Sequence, residues 1–223
     1  MTFFNTYEDE KYAEAYSKLE YPGDYFLAFR DLPEIIHSHV SGKKAMDFGC
    51  GAGRSTRFLQ KLGFDTTGVD RSDEMLKKAR EFDPEGSYHL VSTNDFSFFE
   101  EGSFDLIFAA FTFDNIPGKE NRADLLNKLR NLLNEKGRII LLDSTPEMYY
   151  NEWASFTTKD FPENRNAKSG DIVKIITTAV DGNTPVDDII WFDEDYKELF
   201  EKTGMEPVDV LKPLGKDTEP YNW

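Results

Sequence analysis

Residues 47–53 read Asp47-Phe48-Gly49-Cys50-Gly51-Ala52-Gly53, between a strand-like run (43–48) and a helical stretch that begins near Arg54. Glycines here permit a tight turn and let a ligand approach the backbone where a Cβ would block it. A dinucleotide-binding loop would need a further glycine at the position that Arg54 holds. Glycines at 49, 51 and 53, with an acid two residues before the first, do not suggest a pyrophosphate cradle. Asp70 is the second half of the signal. It closes the run 66–70, nineteen residues beyond Gly51, close to the roughly 20-residue spacing of a carboxylate that grips a ribose. A carboxylate accepts from both ribose hydroxyls and repels a 2′-phosphate. Loop and acid together predict a site for a nucleoside with a free ribose.

Outward from the loop, residues 43–143 alternate short β-like runs with amphipathic helical stretches, the pattern of a parallel sheet covered by helices. The helix after the loop carries Phe58, Leu59 and Leu62, and Gly63 is placed to end it. Ser72 is a candidate N-cap for a helix with Met75, Leu76, Ala79 and Phe82 at helical spacing. A third strand is read at 88–92 and a fourth at 104–111, the latter apolar enough to be buried on both faces. Residues 120–133 form a leucine-striped helix, after which Gly137 releases the chain into a fifth strand at 138–143. Before this core, residues 8–39 predict two helices joined at Tyr21-Pro22-Gly23, with an aromatic apolar face. After it, residues 145–192 form an insertion whose runs 171–180 and 185–192 make a β-hairpin about Asp181-Gly182-Asn183. A last helix ends at Gly204, and residues 205–214 predict a sixth strand. The whole, 1–223, is read as a single domain, with 193–223 holding the last helix and strand.

At these residues the chain resembles a known family. The loop 47–53, followed by Gly68-Val69-Asp70-Arg71-Ser72-Asp73-Glu74-Met75-Leu76, looks like the first two motifs of class I S-adenosylmethionine-dependent methyltransferases. The resemblance continues through 100–111 and 132–143, and it is closest to the broad group of methyltransferase domains acting on small molecules. It implies an α/β, Rossmann-like, mostly parallel sheet with helices on both faces, a helical N-terminal cap and the hairpin insertion after strand 5. It implies S-adenosyl-L-methionine as cofactor, S-adenosyl-L-homocysteine as product and in-line methyl transfer to a small-molecule acceptor. Carried over by position, Asp47 orients the loop or the methionine amino group, while Gly49, Cys50 and Gly51 lie against the methionine and ribose portion. Asp70 holds the ribose hydroxyls, with Arg71 and Met75 flanking the adenine. In Asn94-Asp95-Phe96, Asp95 accepts from the adenine amino group and Phe96 covers the ring, although the common spacing offers Thr93 for that slot instead. Ala110 and Phe111 face the methionine end.

Acceptor candidates are Asp114 and Asn115, after the fourth strand, and Trp153 in the insertion. In relatives the N-terminal helices close over the cofactor, so Tyr16 and Arg30 are candidates to reach its carboxylate. Each has an ordinary alternative: Asp, Asn and Pro also favour a turn, and an aromatic helix face also packs on a sheet. Residues 111–117 lack both the Asn-Pro-Pro-aromatic and the Asp-Pro-Pro-aromatic strings of enzymes that methylate amino groups of bases or glutamine. No catalytic residue is named. Methyl transfer from a sulfonium needs alignment and exclusion of water, and a base only if the acceptor arrives protonated. Two other readings stand beside this one: a protein that binds S-adenosylmethionine as a sensor or non-catalytic subunit, and a nicotinamide oxidoreductase, which Arg54 disfavours.

Composition narrows the partners. The formal net charge of −16, from 42 acidic and 26 basic residues, opposes binding to a nucleic-acid backbone. Cys50 is the single cysteine, which rules out an internal disulfide, and it is read as a small residue tolerated in the loop. His37, His39 and His89 show no spacing to Cys or carboxylates that suggests a metal site. No signal peptide or membrane-length apolar run is visible, so a cytoplasmic location with no membrane partner is the expectation. Monomer and homodimer both stay open. Family sheets end in a seventh strand, and only a polar stretch follows residue 214. The expectation is therefore a missing seventh strand, from C-terminal truncation or a slot filled by another chain.

Overall fold

A computed structural model of the chain describes residues 6–91 and 95–221. Thr93 and Asn94 lie outside the described residues. The main sheet is built from β1 (Lys44–Phe48), β2 (Asp65–Asp70), β3 (Ser87–Leu90), β4 (Phe104–Ala110) and β5 (Leu133–Leu142). All neighbours run parallel, in the order β3-β2-β1-β4-β5. Between them run α4 (Arg54–Lys61), α5 (Asp73–Phe82) and α6 (Lys119–Leu132). Ser72 caps α5 as expected, its hydroxyl accepting from Met75 N–H at 3.3 Å.

Alternation along β4 sets the two layers. Ile107 and Ala109 pack with the α6 leucines 125, 126 and 129 on one face, joined by Phe104 from before the register shift. Leu106 and Phe108 pack on the other, against Leu59 of α4 and residues of the N-terminal helices. The strand is thus buried on both sides, which is why it reads as a near-continuous apolar run.

The N-terminal region departs from the two-helix expectation. A 3-10 turn (Thr6–Glu8) precedes α1 (Glu10–Ser17), α2 (Asp24–Arg30) and α3 (Leu32–His39). Pro33 sits in the first turn of α3. With no N–H, and with its restriction on the preceding residue, it suits a helix start and breaks a helix that would run through it.

The insertion forms an antiparallel sheet of β6 (Phe156–Thr157), β7 (Ile172–Thr177) and β8 (Pro185–Ile189). Its apolar side packs on Tyr12, Leu19 and Tyr25 of the N-terminal region, so cap and insertion share one core. The final helix, α7 (Asp193–Thr203), ends at left-handed Gly204.

Two strand readings are corrected. The fifth strand begins at Leu133, directly after α6, and carries a register shift opposite Phe104 and Leu106. Gly137 therefore lies inside the strand and does not precede it. The sixth strand does not form: 205–214 is irregular, with Val208, Val210, Leu211 and Leu214 exposed. A strand is made by its partner, and apolar alternation alone does not supply one. Among the described residues neither a sixth nor a seventh strand joins this sheet.

Candidate functional site

Strand order reverses between β1 and β4, since β2 and β3 lie to one side of β1 while β5 lies beyond β4. Such a switch point opens a crevice outside the carboxyl ends of the strands, and the glycine loop fills its mouth. Gly49 and Cys50 donate their N–H groups to the Val69 carbonyl at 2.8 and 3.0 Å. Gly49 has φ +73°, and a Cβ there would stand 2.2 Å from Thr112 Oγ1. That hydroxyl donates to the Phe48 carbonyl at 3.0 Å and ties the loop to the end of β4.

Asp70 joins loop and strand. Its Oδ2 accepts from Gly51 N–H and its Oδ1 from Ser72 N–H, both at 2.8 Å. Burial raises its pKa, and those two N–H donors pull the other way. The Arg71 N–H adds to these donors, and Asp70 borders a cavity of about 470 Å³. Asp47 lies behind the loop, wholly buried, accepting from Ser55 Oγ at 2.7 Å and Thr56 Oγ1 at 2.6 Å. Burial pushes its carboxyl up to about 6. It braces the start of α4 and does not border the cavity.

The cavity gathers most of the residues singled out from sequence: Gly49, Cys50, Gly51, Asp70, Arg71 and Met75 on one side, and Ala110, Phe111, Asn115 and Tyr16 on the other. The Cys50 thiol is buried, which pushes its pKa well up, as for an unreactive packing residue. Phe111 has φ +57°, rare for a bulky residue, and donates its N–H to the Leu142 carbonyl at 2.6 Å. Asn115 donates to the Phe111 carbonyl at 3.1 Å, while its buried Oδ1 has no hydrogen-bond partner among the described residues.

Five candidates lie elsewhere. Asp95 is exposed and accepts from Ser97 N–H at 2.9 Å. Phe96 is buried in the main core against Phe48. Asp114 is buried and accepts from Ser144 N–H at 3.0 Å. Trp153 is half-exposed, its indole donating to the Met148 carbonyl at 3.1 Å. Arg30 is engaged by Asp31 and, at 2.5 Å, by Glu219. None of the five borders the cavity.

Sequence reasoning passed over several residues that do border it. Asn121, Asp124 and Lys128 of α6 line one wall at spacings of three and four, a polar stripe that helical periodicity could have revealed. Arg54 entered only as a non-glycine. Its guanidinium sits 4.5 Å from the Tyr25 ring centroid and within 6 Å of those of Tyr16, Tyr21 and Phe29.

Asp114 belongs to a buried charged group whose other members have no counterpart in the sequence reading. Arg122 stacks between Trp191 and Tyr196 at 4.4 and 4.5 Å. Asp143, with both carboxylate oxygens buried, is pushed up to about 8 by burial and by neighbouring Asp114, and Arg122 opposes the shift. Asp114 is itself raised by burial, to about 6. This group joins α6 and the end of β5 to α7 and the residues after β8. Among the described residues no His, Cys, Asp and Glu group could hold a metal ion, and no helix is long and apolar enough to cross a membrane.

Residues 46–141 match the family described as a methyltransferase domain. The chain is 32% identical over 85 residues to a ubiquinone biosynthesis O-methyltransferase of Methylococcus capsulatus, covering 36% of this chain and 36% of that protein. It is 30% identical over 109 residues to a demethylmenaquinone methyltransferase of Thermotoga maritima, covering 48% of this chain and 46% of that one. The matches thus span about a third to a half of these curated relatives. A solved SAM-dependent methyltransferase from Methanosarcina mazei superposes with a TM-score of 0.63 at 16% identity, covering 84% of this chain and 92% of that one. At that identity the likeness is one of fold.

Proposed function

We propose that this chain, whose residues 46–141 match a methyltransferase-domain family, is a class I S-adenosylmethionine-dependent enzyme that transfers a methyl group to a small-molecule acceptor by in-line displacement. The observation that carries this reading is Asp70, fixed by two backbone N–H groups, bordering a cavity whose rim is the glycine loop. The cavity suits a nucleoside cofactor, because the backbone of Gly49 and Gly51 and the Asp70 carboxylate all border it. When bound, the cofactor supplies an already activated methyl on a sulfonium. Asp70 accepts from the ribose hydroxyls, and Met75 and Arg71 flank the base. Gly49, Cys50 and Gly51 run along the methionine and ribose portion, and Ala110 and Phe111 face the methionine end.

Tyr7, Tyr16 and Phe111 border the cavity as an aromatic wall. Such a wall excludes water and favours a nearby sulfonium through its ring faces. It also suits a flat, neutral acceptor, in keeping with the names of the two curated relatives. The unpartnered Asn115 Oδ1 is the acceptor-positioning group, able to take a hydrogen bond from an acceptor hydroxyl. Calorimetric titration with S-adenosylmethionine and S-adenosylhomocysteine, with NADH as control, tests the reading. Saturable adenosyl binding, absent with NADH and lost in Asp70→Ala, supports it and opens an acceptor screen. No adenosyl binding by folded protein sinks it.

A further inference from the structure

We infer that Arg54 is the counter-ion for the α-carboxylate of the cofactor's amino-acid end, an assignment that rests on the cofactor reading above. Arg54 is the first residue of α4 and borders the cavity. Among the described residues its guanidinium donates one hydrogen bond, from Nη1 to the Glu20 carbonyl at 2.7 Å, and its own carbonyl accepts from the Tyr21 hydroxyl at 3.3 Å. No carboxylate of the described residues pairs with it, although the chain has 42 acidic residues and Arg30 and Arg57 both have acidic partners. A half-buried guanidinium with no ion-pair partner among the described residues, acted on only at longer range by the buried Asp47 carboxylate, is costly to desolvate. The rings of Tyr16, Tyr21, Tyr25 and Phe29 offset part of that cost and fix its position.

The surroundings add to this imbalance. Helix α4 starts at left-handed Gly53 with no side-chain cap and no acid in its first turn. Its positive end and the guanidinium therefore stand together, with the buried Asp47, held by Ser55 and Thr56, behind them. The planar fork of arginine matches a carboxylate. The adenosyl part of the cofactor is neutral, its sulfonium and ammonium are cationic, and the α-carboxylate is its one anion. Position agrees with chemistry: Tyr25 packs on Arg54 and, at 5.5 Å between centroids, on Phe111, the residue assigned to the methionine end.

The test compares S-adenosylhomocysteine with its α-carboxamide, which neutralises the carboxylate and keeps the rest of the molecule. Wild-type protein should bind the acid roughly ten- to a hundredfold more tightly than the amide, as for a charge-assisted pair. Arg54→Gln should abolish that preference while still binding the amide. General damage to the fold weakens both ligands alike and leaves their ratio unchanged. An unchanged ratio, or a wild-type protein indifferent to the carboxylate, overturns the assignment and leaves the cofactor reading standing. Wild-type protein that binds neither ligand overturns both. Should Arg54→Gln not fold, Arg54→Lys keeps a cation in the ring cage but loses the fork. It must narrow the preference, and a full wild-type preference there counts against the pair.

Discussion

Single residues decide the chemistry here, and Asp70 shows how far a residue can be read from its spacing. Its distance from Gly51 along the chain marked it as a ribose ligand, and the fold brings its carboxylate to the Gly51 N–H. Asp143 shows the opposite case, because nothing in the sequence reading hinted at a buried carboxylate between Asp114 and Arg122. Its pKa, ordinarily about 4, is pushed to about 8 in the folded chain. Between those values the folded state holds the extra proton, so stability falls as pH rises through that window. Asp143→Asn removes the titration, and the fall in Tm that this group contributes between about pH 4 and 8 should flatten in that variant. An equal slope in both proteins would refute the assignment. Among the described residues Arg122 is the cation of this group, and its charge opposes the rise of the Asp114 and Asp143 carboxyls, so Arg122→Met should cost about 1–3 kcal/mol. Chemical denaturation at pH 8 measures it, and the loss should shrink in an Asp143→Asn background.

At the scale of elements, the β1–α4–β2–α5 unit was legible because it is local. Strand alternation, a glycine turn, a serine cap and helical spacing all lie within a few residues of what they control. The turn also yields a prediction. Gly49→Ala places a Cβ at φ +73°, 2.2 Å from Thr112 Oγ1. The left-handed backbone costs about 1–2 kcal/mol, and displacing Thr112 adds about 1–3. Urea denaturation should show the sum, and adding Thr112→Ala should recover part of it. Full stability of the single variant would mean that the loop adapts freely. Where elements depend on remote partners, the reading slipped. Residues 205–214 carry strand-like alternation without a strand beside them, and β5 starts early because the edge of β4 is there to receive it.

The whole molecule places a cap over the crevice. The N-terminal helices and the small sheet share one apolar core, and the C-terminal segment reaches back to hold α2. Glu219 meets Arg30, Tyr221 donates to the Tyr21 carbonyl at 3.0 Å, and Phe26 packs on the Tyr221 ring. Arg30 therefore belongs to this clasp. Arg30→Ala should speed hydrogen exchange across 214–221 while leaving S-adenosylhomocysteine affinity unchanged. A loss of affinity would restore Arg30 as a cofactor contact. Sequence by itself determined the glycine turn, the place of the acid that follows it, the parallel α/β core and the acidic composition, because each is carried by neighbours in the chain or by composition. Tertiary structure alone decided which side chains meet in the cavity. It drew in Arg54 and the polar stripe of α6, and it sent Arg30, Phe96, Asp114 and Trp153 to other partners. Those outcomes depend on contacts between segments tens of residues apart, where burial and charge pairing outweigh any local preference.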